Sequence, residues 1–355
     1  MVGVSAYMFF PNFQTQEFDQ NVVENIMDGV TTTSTIGNSD SNNTNNQEEN
    51  TVIEIPIESE PEIVNLLNLN QTLVIEDNIT SYLLIGSDKR SDENVDGYIE
   101  GQRADVIILG FFNETINKNA LISIPRDTLV TNLCTGELER INASFKRNNC
   151  GNSAENIVAA VNNLTGIKIE HIASFNFEGF EKIIDSFNGI EICVEETQRE
   201  GYSFELQKGC QKVNGSTALN WTRSRNTEVL IGKKIIDEDG NDKSEWKKME
   251  DVSDLSRVER QQYLVIQLLN ELENFSSFGE LLQFIQALEE TFVVDEGLSV
   301  NKATNILWGL RTLDLNNIVK LTIPTTPYQL NDGRQVLILN GNFYDFAEEN
   351  LLIEE

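Results

Sequence analysis

Tyr82-Leu83-Leu84-Ile85-Gly86-Ser87-Asp88-Lys89-Arg90, followed by Val106-Ile107-Ile108-Leu109-Gly110-Phe111, is the stretch whose reading decides the fold. Each apolar run is short, rich in branched side chains and closed by glycine or polar residues, which marks a buried strand rather than a helix. Further runs of the same kind lie at Ala120-Leu121-Ile122-Ser123-Ile124, His171-Ile172-Ala173-Ser174-Phe175 and Ile190-Glu191-Ile192-Cys193-Val194. Helical periodicity fills the intervals. Asn152 to Leu164 places Ile157, Val158, Val161 and Leu164 on one face, and Phe177–Phe187, Leu255–Phe275 and Phe278–Phe292 are patterned similarly. The expected class is α/β or α+β, a mixed central β-sheet flanked by helices.

Outward from this core the composition changes. Met1 to Phe10 is apolar but shorter than the ~20 residues a helix needs to cross a bilayer. Residues 1–15 are therefore read as the remnant of a membrane anchor or a disordered N-terminus, and 16–75 as an acidic linker rich in Asn, Ser, Thr and Glu. One folded domain is expected over 76–325, with a charged insertion at 232–251 forming a mobile loop, and a strand/helix extension over 326–355.

The 355 residues carry a formal net charge of −31. Such a surface repels phosphate backbones over a Debye length of about 8–10 Å, so nucleic acid is excluded as a partner. Against this background the arginines are informative. Seven of the 12, namely Arg90, Arg103, Arg126, Arg223, Arg225, Arg257 and Arg260, fall in short segments at the ends of strands and helices. A guanidinium holds phosphate or carboxylate in a planar fork, so clustered arginines in an acidic protein point to a local anionic ligand. Cys134 and Cys150 would close one short loop and Cys193 and Cys210 another, which suits an oxidising compartment; connectivity, and free thiols as the alternative, stay open at this level. No Cys-x-x-Cys spacing occurs and His171 is the sole histidine, so a zinc site is disfavoured.

Four segments are read together: Gly86-Ser87-Asp88-Lys89-Arg90 at a strand end, Arg103-Ala104-Asp105 at the next strand's start, Ile124-Pro125-Arg126-Asp127-Thr128 where proline ends the third strand, and Trp221-Thr222-Arg223-Ser224-Arg225 with Asp254-Leu255-Ser256-Arg257-Val258-Glu259-Arg260-Gln261-Gln262. In this order and spacing they resemble the LytR-CpsA-Psr family, with lesser echoes at Arg140-Ile141-Asn142-Ala143, Phe177-Glu178-Gly179-Phe180 and Asn188-Gly189-Ile190-Glu191. The resemblance covers Ile79 to about Asn274. Ser256 departs from the glycine usual in the family, whereas the aromatic before Arg-x-Arg is kept as Trp221.

The resemblance implies a single catalytic domain at the extracytoplasmic face of the cell membrane. Its activity would be a phosphotransferase moving a glycopolymer from a polyprenyl-pyrophosphate carrier to a peptidoglycan sugar hydroxyl. The alternatives are a polyprenyl-pyrophosphate hydrolase and a non-catalytic lipid-binding or regulatory envelope protein. Arg90, Arg103, Arg126, Arg223, Arg225, Arg257, Arg260 and Gln261 would bind the pyrophosphate; Arg257 and Arg260, one turn apart, are expected to face the same side. Asp88 and Asp105 would hold Mg2+ or Mn2+, and Arg103, Asp105, Arg126 and Asp127 form the expected catalytic set, the base being Asp105 or Asp127.

Overall fold

The computed structural model describes residues 14–16, 18–31, 80–87, 103–112, 119–249, 254–288, 292–311 and 315–351. In chain order the elements are β1 (Gln14–Gln16), α1 (Gln20–Thr31), β2 (Thr80–Ser87), β3 (Ala104–Phe112), β4 (Ala120–Ser123), β5 (Leu129–Thr131), β6 (Leu138–Arg140), α2 (Ser153–Thr165), β7 (His171–Asn176) and α3 (Phe177–Ser186). There follow β8 (Ile190–Val194), β9 (Gln198–Glu200), β10 (Phe204–Leu206), β11 (Gly209–Val213), α4 (Gly215–Arg223), β12 (Glu228–Ile231), β13 (Glu245–Lys248) and α5 (Asp254–Glu271). The C-terminal part adds α6 (Phe278–Ala287), β14 (Phe292–Asp295), α7 (Val300–Leu310), β15 (Val319–Thr322), β16 (Thr325–Gln329), β17 (Gln335–Leu339) and α8 (Phe343–Leu351).

A seven-stranded mixed sheet, ordered β1-β14-β7-β2-β3-β4-β15, forms the centre. Alternation along its strands divides the core in two. Leu83, Ile85, Ile107, Leu109 and Ile122 face a layer built by Ile157, Val158 and Val161 of α2, with Val23 of α1 and Phe343 of α8 packed beside them. Leu84, Ile108 and Leu121 face the opposite layer, against Val265, Ile266 and Leu269 of α5. This mixed central sheet flanked by helices is α+β, one of the two classes, α/β or α+β, that the alternating runs predict. α2 starts on a capping box, with the Asn152 side chain accepting from the Glu155 amide and Glu155 from the Asn152 amide, and ends on Gly166 in the left-handed region.

The boundaries differ in informative places. The helix expected to reach Phe292 ends at Ala287, and Phe292–Asp295 is instead a strand antiparallel to β7. Branched Val293 and Val294 gain a ladder partner there, a long-range pairing that local periodicity does not report. The stretch read as anchor and linker contributes an edge strand parallel to β14 and helix α1, whose Val23 and Ile26 are buried; the remainder of that stretch, 1–13, 17 and 32–75, lies outside the described residues. The 232–251 insertion begins after a paired hairpin strand. β12 and β13 extend the small sheet β10-β9-β12-β13, fastened by Arg199, which lies 3.9 Å over the Trp246 ring and pairs with Glu228 at 3.0 Å and Asp242 at 2.7 Å. The C-terminal extension is integral, since Leu339, Phe343 and Ala347 join the main core.

Both cysteine pairs are joined, Cys134 to Cys150 and Cys193 to Cys210, the second linking directly opposed residues of β8 and β11. No described helix is long and apolar enough to cross a membrane.

Helices α3 and α4 cross at Gly215, where an added Cβ would lie 2.4 Å from the Glu181 carbonyl oxygen. Gly215→Ala must push the helices apart, and overpacking of this kind costs about 1–3 kcal/mol. The expected result is a lowered urea midpoint at unchanged slope; an unaltered midpoint would show that the crossing yields freely.

Candidate active site

Strand directions bring the described parts of the four singled-out segments to one end of the sheet. β2 and β7 run parallel and finish there, whereas β3 runs antiparallel to β2 and begins there, so Gly86 sits opposite Val106 and close to Phe175. β4, antiparallel to β3, also ends there and delivers the turn Pro125-Arg126-Asp127-Thr128, closed by the Thr128 amide and hydroxyl donating to the Pro125 carbonyl at 3.0 and 2.6 Å. The C-terminus of α4 and the first turns of α5 complete the enclosure.

Between these elements lies a cleft of about 420 Å³. Its polar wall carries Asp105, Arg126, Arg223, Arg225, Arg257 and Gln261, and Glu200 of β9 also borders it. Its apolar wall is made by Phe175, Phe177, Phe180, Leu219, Leu264 and Val265. Arg223 joins the two halves, its guanidinium lying 3.9 Å over the Phe177 ring. Such a cleft suits an amphiphile with an anionic head and a hydrocarbon tail.

Arg126 Nη1 donates to Asp105 Oδ1 at 2.5 Å, and both side chains are largely covered, with 21% and 16% exposed. Its Nε is buried without a hydrogen-bond partner, 3.7 Å from Asp127 Oδ2. Asp127 Oδ1 in turn lies 3.4 Å from Arg140 Nε. The row Asp105–Arg126–Asp127–Arg140 therefore alternates in sign and holds Arg126 rigidly. Asp127 does not line the cleft; it faces a pit of about 10 Å³ shared with Asp105, Arg126, Arg257, Gln261 and Leu337. Leu337 belongs to the C-terminal hairpin, and its amide donates to the Asp127 carbonyl at 2.9 Å.

Of the residues the sequence singled out, Asp105, Arg126, Arg223, Arg225, Arg257 and Gln261 are thus brought together. Arg103 is exposed at the foot of β3 and outside the lining. Asp88 and Arg90 lie outside the described residues. Arg257 and Arg260 do not share a destination. Arg257 and Gln261, four residues apart, face the cleft, whereas Arg260 turns away and is 8% exposed. Burial lowers the Arg260 pKa from its ordinary value, opposed by the charges of Glu200 and Glu259. The lining phenylalanines Phe175, Phe177 and Phe180 were not among the residues the sequence singled out for the site. Their signal was present in Phe175-Asn176-Phe177-Glu178-Gly179-Phe180, where the spacing crosses from strand to helix.

Together these features define a class of protein: an α+β domain with an arginine-walled, phenylalanine-floored cleft at the end of its central sheet. The profile of the LytR_cpsA_psr family matches residues 30–232, and the chain belongs to that family. It is 28% identical over 274 residues to the probable cell wall biosynthesis protein LcpB of Corynebacterium glutamicum, covering 73% of this chain and 58% of that one. It is 25% identical over 236 residues to the polyisoprenyl-teichoic acid–peptidoglycan teichoic acid transferase TagU of Bacillus subtilis, covering 65% and 63%. The chain thus spans less than two thirds of the length of both relatives. Among solved structures it is similar in fold to B. subtilis TagV (TM-score 0.60, 19% identity, 78% of this chain and 97% of that one). It is likewise similar to a LytR-Csp2A-Psr enzyme from Actinomyces oris (TM-score 0.57, 23% identity, 76% and 89%).

Proposed function

We propose that the protein transfers a glycopolymer from a polyprenyl-pyrophosphate carrier to a peptidoglycan hydroxyl, outside the cell membrane. The observation that carries this reading is a cleft lined both by Arg126, Arg223, Arg225 and Arg257 and by Phe175, Phe177 and Phe180. The relative TagU, whose name describes transfer of polyisoprenyl-linked teichoic acid to peptidoglycan, supports it. Two disulfides fit an oxidising compartment.

In the reaction, the acceptor oxygen attacks the sugar-side phosphorus and the bond from that phosphorus to the bridging oxygen breaks. Polyprenyl monophosphate leaves, and the hydroxyl proton passes to a base. Guanidinium groups fixed around the pyrophosphate stabilise the charge that gathers on its oxygens, which is the principal demand of phosphoryl transfer. Of the two candidate bases, Asp105 lines the cleft, whereas Asp127 is ion-paired through one oxygen to Arg126 and through the other to Arg140. We assign the proton to Asp105 and the holding of Arg126 to Asp127.

Asp105, with Asp88, would hold Mg2+ or Mn2+. The donor fits such an ion, because magnesium takes one or two carboxylates beside waters and phosphate oxygens, and Arg126 engages Asp105 through Oδ1. When bound, the cation would neutralise charge on the pyrophosphate.

The test incubates the full chain with a radiolabelled polyprenyl-pyrophosphate glycan, peptidoglycan sacculi and Mg2+. Label is expected to enter the sacculi with release of polyprenyl monophosphate, and EDTA is expected to lower the rate at least tenfold. Release of the monophosphate with no label in the sacculi would make the protein a hydrolase. Recovery of intact bound lipid would make it a binding protein.

A further inference from the structure

Arg260 is a buried cation that the cleft does not use. Its Nη1 donates to the Trp221 carbonyl at 2.9 Å and its Nη2 to Thr227 Oγ1 at 3.3 Å, while its guanidinium carbon lies 5.4 Å from the centre of the Trp221 ring. These two acceptors bracket the segment Thr222–Asn226, which carries Arg223 and Arg225 into the cleft. The segment is tied at other points too. Ser224 and Thr227 share a hydroxyl–hydroxyl bond of 2.6 Å, with Ser224 2% and Thr227 0% exposed, and the Asn226 amide donates to Glu200 Oε1 at 2.9 Å. Trp221 is held in turn by its Nε1 donating to Gln198 Oε1 at 3.2 Å.

We infer that Arg260 is a positioning residue that clamps both ends of the Arg223–Arg225 turn, and that the anion affinity of the cleft depends on this clamp and on Thr227. The inference rests on the pyrophosphate reading of the cleft. Its physical basis is that Arg223 and Arg225 are exposed side chains next to α4's end, and an exposed arginine contributes to binding only to the extent that its backbone is fixed. A guanidinium has donors enough to reach two acceptors at once. A lysine in its place keeps the charge but reaches one of them.

The experiment measures binding of farnesyl pyrophosphate to the full chain by calorimetry, well below the thermal midpoint of each variant. Thr227→Val removes a hydroxyl that never meets the cleft, and R260K keeps the charge; each is expected to weaken binding on the order of tenfold. Added to an Arg223→Ala, Arg225→Ala double variant, neither is expected to weaken binding further, since the clamped groups are already gone. Unchanged affinity in Thr227→Val, with or without a lowered midpoint, overturns the inference. So does a further loss when R260K is added to the double variant, which would mean that Arg260 touches the ligand. Absence of binding by the unaltered protein would overturn the pyrophosphate reading itself, whereas wild-type binding with indifferent clamp variants sinks the clamp alone.

Discussion

Replacing Arg126 with alanine is expected to lower turnover of the lipid pyrophosphate by a factor of about 10²–10³, the range seen when one preorganised donor is removed from a site of developing negative charge. Arg126 is a firmly held arginine of the cleft. Asp105 engages its Nη1 at 2.5 Å, Asp127 stands 3.7 Å from its Nε, and Arg140 secures Asp127 from behind. The row fixes the guanidinium before charge develops. Arg126→Lys is expected to recover little, because a point charge on a flexible stem cannot reproduce the fork. Both variants are expected to keep wild-type far-UV circular dichroism. Turnover within threefold of wild type in Arg126→Ala would remove this arginine from the mechanism.

Asp105→Asn has the second large expected effect. The amide is nearly isosteric and its oxygen can still accept from Arg126, so the turn should survive; what is lost is the negative charge and the proton acceptor. Turnover is expected to fall about 10²–10³-fold, with the response to added Mg2+ abolished. Because Asp105 and Arg126 are in direct contact, the double variant should lose much less than the product of the two single losses. Persistence of the full magnesium response in Asp105→Asn would place the cation elsewhere. By contrast, Asp127→Asn is expected to act through Arg126 and to be partly compensated by Asp105, which still engages Arg126 Nη1, giving a milder defect measurable in the same assay.

Much of the fold was legible because its strands are buried on both faces. The runs at 82–85 and 106–111 have no polar alternation to dilute them, and the motif that closes the first and the motif that opens the second meet at one sheet end. Where the reading stopped, the cause was long-range pairing. Phe292–Asp295 is a strand because β7 lies beside it, and the residues at 14–31 are ordered because β14 and α2 offer them an edge and a face. The apolar wall was obscured for a related reason: its residues come from β7, α3, α4 and α5, so no single periodic stripe records them.

Residue chemistry and order along the chain were sufficient for a mixed central sheet flanked by helices, the family resemblance, the pairing candidates among the cysteines, and the expectation of an anionic ligand met by arginines. Those conclusions depend on composition and spacing, which folding does not alter. Which arginine faces the cleft was decided by packing. Arg257 and Arg260 are chemically identical and one turn apart, but the helix carries Gln261 round to the face of Arg257 and leaves Arg260 against Trp221 and Thr227. A residue's direction on a helix is set by what the helix rests upon, and here that surface comes from α4 and the turn after it, more than thirty residues earlier in the chain. The proposed choice between Asp105 and Asp127 follows the same logic, for it rests on which of them lines the cleft and on Arg140, which only the folded chain brings beside Asp127.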